Sequence, residues 1–284
     1  MSRSKKFALI TGCGKGGIGE ALACEYSRVG IHAIATILPS EASEHLVQAG
    51  LTWFYLDVTS EESIRELKQQ VVKLTGGMLD ILVNNAGICY TMTAIDTDIT
   101  AVERMFDVNI FGPIRMVHHF HSLIIASAGT IVNIGSVGGI VPYVYGASYN
   151  ATKAGLHHWS NTLRVEMAPL SVKVLTVISG EIGTNILRSD RDRELPEDSY
   201  FSPLAPEFKR HVQRSPETTN RFSYAAQVVS QSLRPDPPAW LWYGKTTRIV
   251  RFFDMFAWRT IWDCIFWFMF NFGKLKAAHK GRPT

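Results

Sequence analysis

Apolar positions along the chain cluster into short runs, at Phe7–Ile10, His32–Leu38, Thr52–Leu56, Ile81–Val83, Thr130–Ile134 and Val172–Ile178, each of which reads as a buried strand. Longer segments between them carry a helical pattern. One runs through Ala21, Leu22 and Tyr26 to a stop at Gly30. The next runs to Leu74 from a capping box of Thr59 and Glu62. A third covers about 100–125, and a fourth passes through Tyr149 to about Ala168. Six strands alternating with helices predict an α/β fold, a doubly wound parallel sheet with its ligand crevice at the strands' C-terminal ends. The expected organisation is one domain over 1–240 with a lid at about 185–238, then an aromatic and basic helical extension over 241–284.

Composition narrows the partners. A net charge of +4, with no long basic run before the tail, argues against nucleic acid. Cys13, Cys24, Cys89 and Cys264 show no paired spacing, which fits a reducing, cytoplasmic compartment and no zinc site. His118, His119 and His121 lack an i, i+4 pair and a nearby acid, so no metal is expected there.

The chemistry concentrates in two places. The first strand leads at once into TGCGKGGIG, Thr11 to Gly19, and then a helix. Gly12, Gly17 and Gly19 would let a pyrophosphate approach the backbone at that helix's N-terminus. Neither an acid nor a base follows the second strand, where Leu38 gives way to Pro39 and Ser40. Lys15, inside the glycine loop, is placed to meet a 2′-phosphate and tilts the expectation to NADP(H).

The second place is Ser136 to Lys153. Tyr149 and Lys153 are four residues apart on a helix and so share a face, and Ser136 ends the adjacent strand. Bringing a phenol from a pKa of about 10 towards 7 needs roughly 4 kcal/mol of preferential phenolate stabilisation, which a fixed ammonium would help supply. The serine hydroxyl can hold a substrate oxygen while the tyrosine exchanges its proton. Asn109 stands in an otherwise apolar helix, and a buried amide must find partners.

With these residues assembled, the chain resembles the short-chain dehydrogenase/reductase family over roughly 6–184. The resemblance implies a Rossmann-type fold with Tyr149 as acid/base and Ser136 orienting the carbonyl. It makes Lys153 the nicotinamide-ribose ligand that lowers the tyrosine pKa, and Asn109 the holder of a relay water. Gly12, Lys15, Gly17, Ile18, Gly19, Asp57, Val58, Asn85, Ala86, Gly87, Ile182 and Thr184 correspond to cofactor contacts. GCGKGGIG and Trp242-Tyr243-Gly244-Lys245 look like the fungal and yeast NADPH-dependent 1-acyldihydroxyacetone-phosphate reductases. Where that subgroup has an arginine after the second strand, this chain has Leu38, and Ser179 replaces the usual proline before Gly180. A homo-oligomer is implied by the resemblance alone.

The reading that results is an NADP(H)-dependent reductase of a ketone, or oxidant of the matching alcohol, on a hydrophobic substrate, either lipid-like or a specialised metabolite. One alternative is reduction of 1-acyldihydroxyacetone phosphate; another is a non-catalytic cofactor-binding scaffold at a membrane. Phe201, Leu204 and Phe208 in the lid are candidates for an apolar substrate, and Arg188, Arg191 and Arg193 for a substrate phosphate.

Residues 249–272 hold ten Phe or Trp and four charges, Arg251, Asp254, Arg259 and Asp263. Each charge costs about 2.5–3.5 kcal/mol at a bilayer centre, which disfavours a span. At helical spacing the charges share one half of the circumference, predicting a single helix in a membrane interface, on endoplasmic reticulum or lipid droplet. Lys274, Lys276, Lys280 and Arg282 would meet headgroups. The competing arrangement packs this helix on the substrate pocket or a sister subunit.

Overall fold

A computed structural model describes residues 5–280, except for the side chains of Leu187 and Arg188. Seven parallel strands form one sheet in the order β3-β2-β1-β4-β5-β6-β7. They are β1 (Phe7–Ile10), β2 (His32–Ile37), β3 (Thr52–Tyr55), β4 (Ile81–Asn84), β5 (Thr130–Ile134), β6 (Lys173–Ser179) and β7 (Trp240–Tyr243). The helices are α1 (Ile18–Arg28), α2 (Glu44–Gln48), α3 (Glu61–Thr75), α4 (Ile99–Phe106), α5 (Gly112–Ala126) and α6 (Ala147–Met167). Then come α7 (Ala205–Val212), α8 (Arg221–Ser232), α9 (Thr247–Phe256), α10 (Ile261–Met269) and α11 (Phe272–His279).

The central strands β1, β4 and β5 are buried along their whole length, as continuous apolar runs in a parallel sheet require. One core layer packs α1 and α8 on one sheet face, through Leu22, Tyr26, Tyr224 and Val228. A second packs α3, α5 and α6 on the other, through Leu67, Met116, Phe120 and Leu163. Strand order reverses between β1 and β4, so the loops after them diverge and open a crevice.

Before the C-terminal segment, four features depart from the sequence reading. β7 is a seventh strand. Its four residues WLWY are only half-buried and follow two prolines, so no alternation marks them; pairing with β6 makes them a strand. Helix α3 is capped one residue later than expected, by Ser60 accepting from the Ser63 N–H, while Thr59 bonds Asp57. The helix expected across 100–125 contains a π-helical turn at Asp107–Phe111 between α4 and α5. Such turns are rare and often sit at functional sites. Finally, α8 is a core helix rather than part of a solvated lid. Its Tyr224 is fully buried with Ala225, Val228 and Val229, and the Tyr26 hydroxyl meets Ser232 Oγ at 2.7 Å.

The C-terminal segment is three short helices rather than one. Ala257 is extended (ψ 161°) and Asn271 left-handed (φ 55°), which interrupts the helix twice. Those breaks let Phe266 and Phe270 turn inward against Tyr143, Tyr145 and Phe208, so aromatic burial outweighs helix continuity. Among the described residues no helix is long and apolar enough to cross a membrane.

Candidate active site

The loop after β1 is shaped by its glycines. Gly12 has φ +70°, and a Cβ there would lie 2.8 Å from Ala86 Cα, so only glycine lets the β1 and β4 loops meet. Thr11 ties them: its hydroxyl accepts the N–H groups of Asn85 and Ala86 and donates to the Val83 carbonyl. Both amide hydrogens of Asn85 are used on the Thr11 and Gly12 carbonyls. Asn85 therefore holds the glycine loop in shape with its side chain. Gly17 caps α1, leaving the helix N-terminus open to an anion.

These loops floor a cleft of about 590 Å³. Gly12, Lys15, Gly17, Ile18, Asp57, Val58, Asn85, Ala86, Gly87, Ser136, Tyr149, Lys153, Ile182 and Thr184 all line it. Gly19 is buried behind it, and Asn109 stands beside Gly87 and Thr152. A cleft over a glycine turn, with a Cβ excluded at its base, fits a dinucleotide: the helix N-terminus would hold the pyrophosphate, and Lys153 would meet a ribose.

Helix α6 sets Tyr149 and Lys153 one turn apart, with Lys153 Nζ 5.8 Å from the tyrosine ring centroid. Lys153 is buried and donates to the Ile134 carbonyl at 2.9 Å. Burial pushes its pKa down to about 8. Burial likewise pushes the Tyr149 phenol up to about 12, with the Ser136 hydroxyl pulling it back. The expected lowering of the tyrosine by Lys153 is thus not supplied by the chain's own groups, because desolvation of the phenolate outweighs them. Ser136 Oγ also accepts the Gly138 N–H, which fixes its rotamer towards α6.

Asn109 sits in the π-turn. Its Oδ1 accepts the Ile88 N–H at 2.9 Å, and its Nδ2 donates to the Ile88 carbonyl and Thr152 Oγ1. Both amide hydrogens are spent, so its side chain has only a second Oδ1 lone pair for a water.

Several residues escaped the sequence reading. His157 is buried one turn beyond Lys153, and its Nε2 accepts the Ser136 backbone N–H. Tyr149, Lys153 and His157 repeat at steps of four, a signal present in the sequence. Glu41 lines the cleft beside the glycine loop, where its carboxylate accepts the Leu38 N–H at 2.9 Å. The missing acid after the second strand is therefore present, delivered by a turn three residues on.

The lid residues sort differently from expectation. Leu204 and Phe208 are fully buried, Phe208 within the aromatic cluster, and Phe201 alone of the three lines a cavity. Arg193 clamps the buried Asp190 through two hydrogen bonds and lies 4.2 Å over the Tyr90 ring, so it is not free for a phosphate. Arg191 reaches Ser215. The Arg188 side chain lies outside the described residues.

A family profile described as short chain dehydrogenase matches residues 6–195. The chain belongs to the short-chain dehydrogenases. It is 68% identical to short-chain dehydrogenase virD of Hypocrea virens, over 98% of this chain and 97% of that one. The NADPH-dependent 1-acyldihydroxyacetone phosphate reductase of Schizosaccharomyces pombe is 44% identical, over 85% of this chain and 86% of that one. Among solved structures, a short-chain dehydrogenase from Streptomyces avermitilis superposes with TM-score 0.79 at 27% identity, covering 96% of this chain and 99% of that one. A serine dehydrogenase complexed with NADP+ superposes with TM-score 0.71 at 25% identity, covering 85% and 95%. The protein is an oxidoreductase of this family.

Proposed function

We propose that this short-chain dehydrogenase uses NADP(H) to reduce a ketone on a hydrophobic molecule, with Tyr149 as acid/base. The observation that carries the reading is the convergence of Ser136, Tyr149 and Lys153 in a cleft that fits a dinucleotide. In the direction of reduction, the Ser136 hydroxyl holds the carbonyl oxygen and the Tyr149 phenol gives it a proton. When bound, NADPH would supply the hydride to the carbonyl carbon. Burial holds the phenol protonated at neutral pH, and giving up that proton depends on the charge that Lys153 and the bound cofactor would bring to it. Lys153, held by Ile134, stands between the tyrosine and Gly87, where a ribose hydroxyl would complete the relay with Asn109.

Supporting NADP(H) are Lys15 on the cleft rim and two comparisons, the NADPH-dependent relative and the NADP+-complexed neighbour. Supporting an apolar substrate is a second cavity of about 950 Å³, walled by Tyr143, Tyr145, Phe201, Phe253, Trp262 and Phe272. Gly138 is part of its lining, and a Cβ on Gly138 would lie 3.3 Å from the Tyr149 ring. This aromatic wall suits a ketone in an extended hydrophobic product of specialised metabolism. We place the enzyme in the cytoplasm as a homo-oligomer, peripherally on an endoplasmic reticulum or lipid-droplet surface.

The test is NADPH and NADH oxidation against a panel of hydrophobic ketones that includes an acyl-dihydroxyacetone phosphate. Turnover with NADPH that disappears in Tyr149→Phe supports the reading. Tight NADPH binding with no turnover on any ketone would sink it in favour of a scaffold.

A further inference from the structure

The C-terminal helices have two apolar faces, and only one is used inside the molecule. On α9, Thr247 and Val250 are buried, while Ile249, Phe252, Met255 and Phe256 are 59–71% exposed on the opposite side. On α10, Trp262, Phe266 and Phe270 follow at steps of four and turn inward. Trp267, Phe268 and Met269 are 41%, 82% and 61% exposed, and Trp258 in the connecting turn is 65% exposed. The inner rings brace this outer set: Phe253 packs edge-on to Trp262 at 5.4 Å, and Trp262 stacks on Phe266. Exposed aromatics in such number, held on rigid short helices, are far from the scattered single residues normal on a soluble surface.

Charge identifies the occupant. Residues 247–280 carry six lysines and arginines against two acids, a surplus equal to the chain's whole net charge of +4. The remainder of the protein is balanced. Lys274 is spent on Glu207, but Arg248, Arg251, Arg259, Lys276 and Lys280 are exposed. Arg282 lies outside the described residues. A second copy of a face this cationic would repel the first, whereas a negatively charged surface with an apolar interior satisfies both the rings and the cations.

We infer that the outer face of α9 and α10 docks on an anionic lipid bilayer, with its rings at headgroup depth and its cations on the lipid charges. This sharpens the peripheral placement proposed above and is independent of the reaction. The inner rings of the same helices wall the aromatic cavity, so docking brings that cavity next to the layer in which a hydrophobic ketone partitions.

The full chain is floated with phosphatidylcholine vesicles, with and without about 30 mol % phosphatidylserine. Wild-type protein is expected to bind the anionic vesicles and to be released by salt. Phe252→Ser, Phe256→Ser and Phe268→Ser combined are expected to abolish binding, with melting temperature and NADPH affinity unchanged. Should that variant misfold, Arg251→Glu with Lys276→Glu provides the same test, each lost cation lowering partitioning roughly fivefold. Absence of wild-type binding at low salt, or binding equal in wild type and variants, overturns the inference. So does a wild-type oligomer that the serine variant dissociates without lipid, since that gives the face to a second copy. Vesicle binding with no turnover on any ketone would sink the proposed reaction and leave the surface standing.

Discussion

His157 Nε2 accepts the backbone N–H of Ser136 at 3.2 Å. The acceptor role requires the Nδ1–H tautomer, and Nδ1 has no protein partner among the described residues. His157 thus acts through Ser136 as a positioning residue, clamping the strand end that presents the hydroxyl.

His157→Gln, which can still accept, is expected to keep most of kcat. His157→Phe leaves the Ser136 N–H unsatisfied, a cost of about 1–3 kcal/mol. It is expected to lower kcat about tenfold or more with NADPH affinity unchanged. Equal kcat in the two variants would remove the positioning role.

The same histidine makes the fold acid-sensitive. Burial pushes its pKa down to about 3, so it stays neutral in the fold but protonates near 6.5 when unfolded. Stability is full above about 6.5 and is lost as pH falls from there towards 3, by roughly 2 kcal/mol at pH 5. His211, also pushed down to about 3, adds to the loss. Thermal melting across pH 7 to 4 is expected to fall steeply in wild type and less steeply in His157→Gln.

Lys153 pulls stability in the opposite sense. Its folded pKa of about 8 lies below an unfolded 10.5, so the unfolded chain binds the extra proton between those values. Stability therefore rises with pH through that window and is lowest below about 8, by roughly 3 kcal/mol. Lys153→Met is expected to melt higher than wild type at pH 7 while losing turnover. A lower melting temperature would show that its bond to Ile134 outweighs the buried charge.

Tyr149→Phe removes the hydroxyl, with its exchangeable proton and its bond to Ser136, and keeps the ring. Turnover should fall by roughly 10²–10⁴-fold, the usual contribution of a positioned acid, with cofactor affinity and melting temperature kept. Loss of cofactor binding instead would mean that the hydroxyl also helps to hold the cofactor.

Glu41 and Lys15 both line the cleft at the glycine loop, with the Glu41 carboxylate against Gly14, so a 2′-phosphate bound there would meet both charges. Like charge there should weaken NADPH relative to a neutral side chain. Glu41→Gln is expected to lower the NADPH KM with little change for NADH, and Lys15→Ala to do the reverse. Unchanged KM ratios would place the phosphate elsewhere.

Much of this was legible in the residues alone. The core strands are continuous apolar runs because both faces of a parallel sheet are covered, and that local pattern needs no partner to be read. Ser136, Tyr149 and Lys153 followed from helical spacing, and the glycine turn from the strand and helix that flank it. What the tertiary structure decided were choices made by contacts distant in sequence. WLWY became β7 because β6 offered an edge, and α8 became core because Tyr26 and the sheet accept Tyr224 and Ser232. The C-terminal aromatics divided into inner and outer faces because Tyr143 and Tyr145 offered rings for Phe266 and Phe270 to pack against. Even the direction of the Tyr149 shift needed the fold, since desolvation depends on everything packed around a group and spacing reports only its neighbours on the helix.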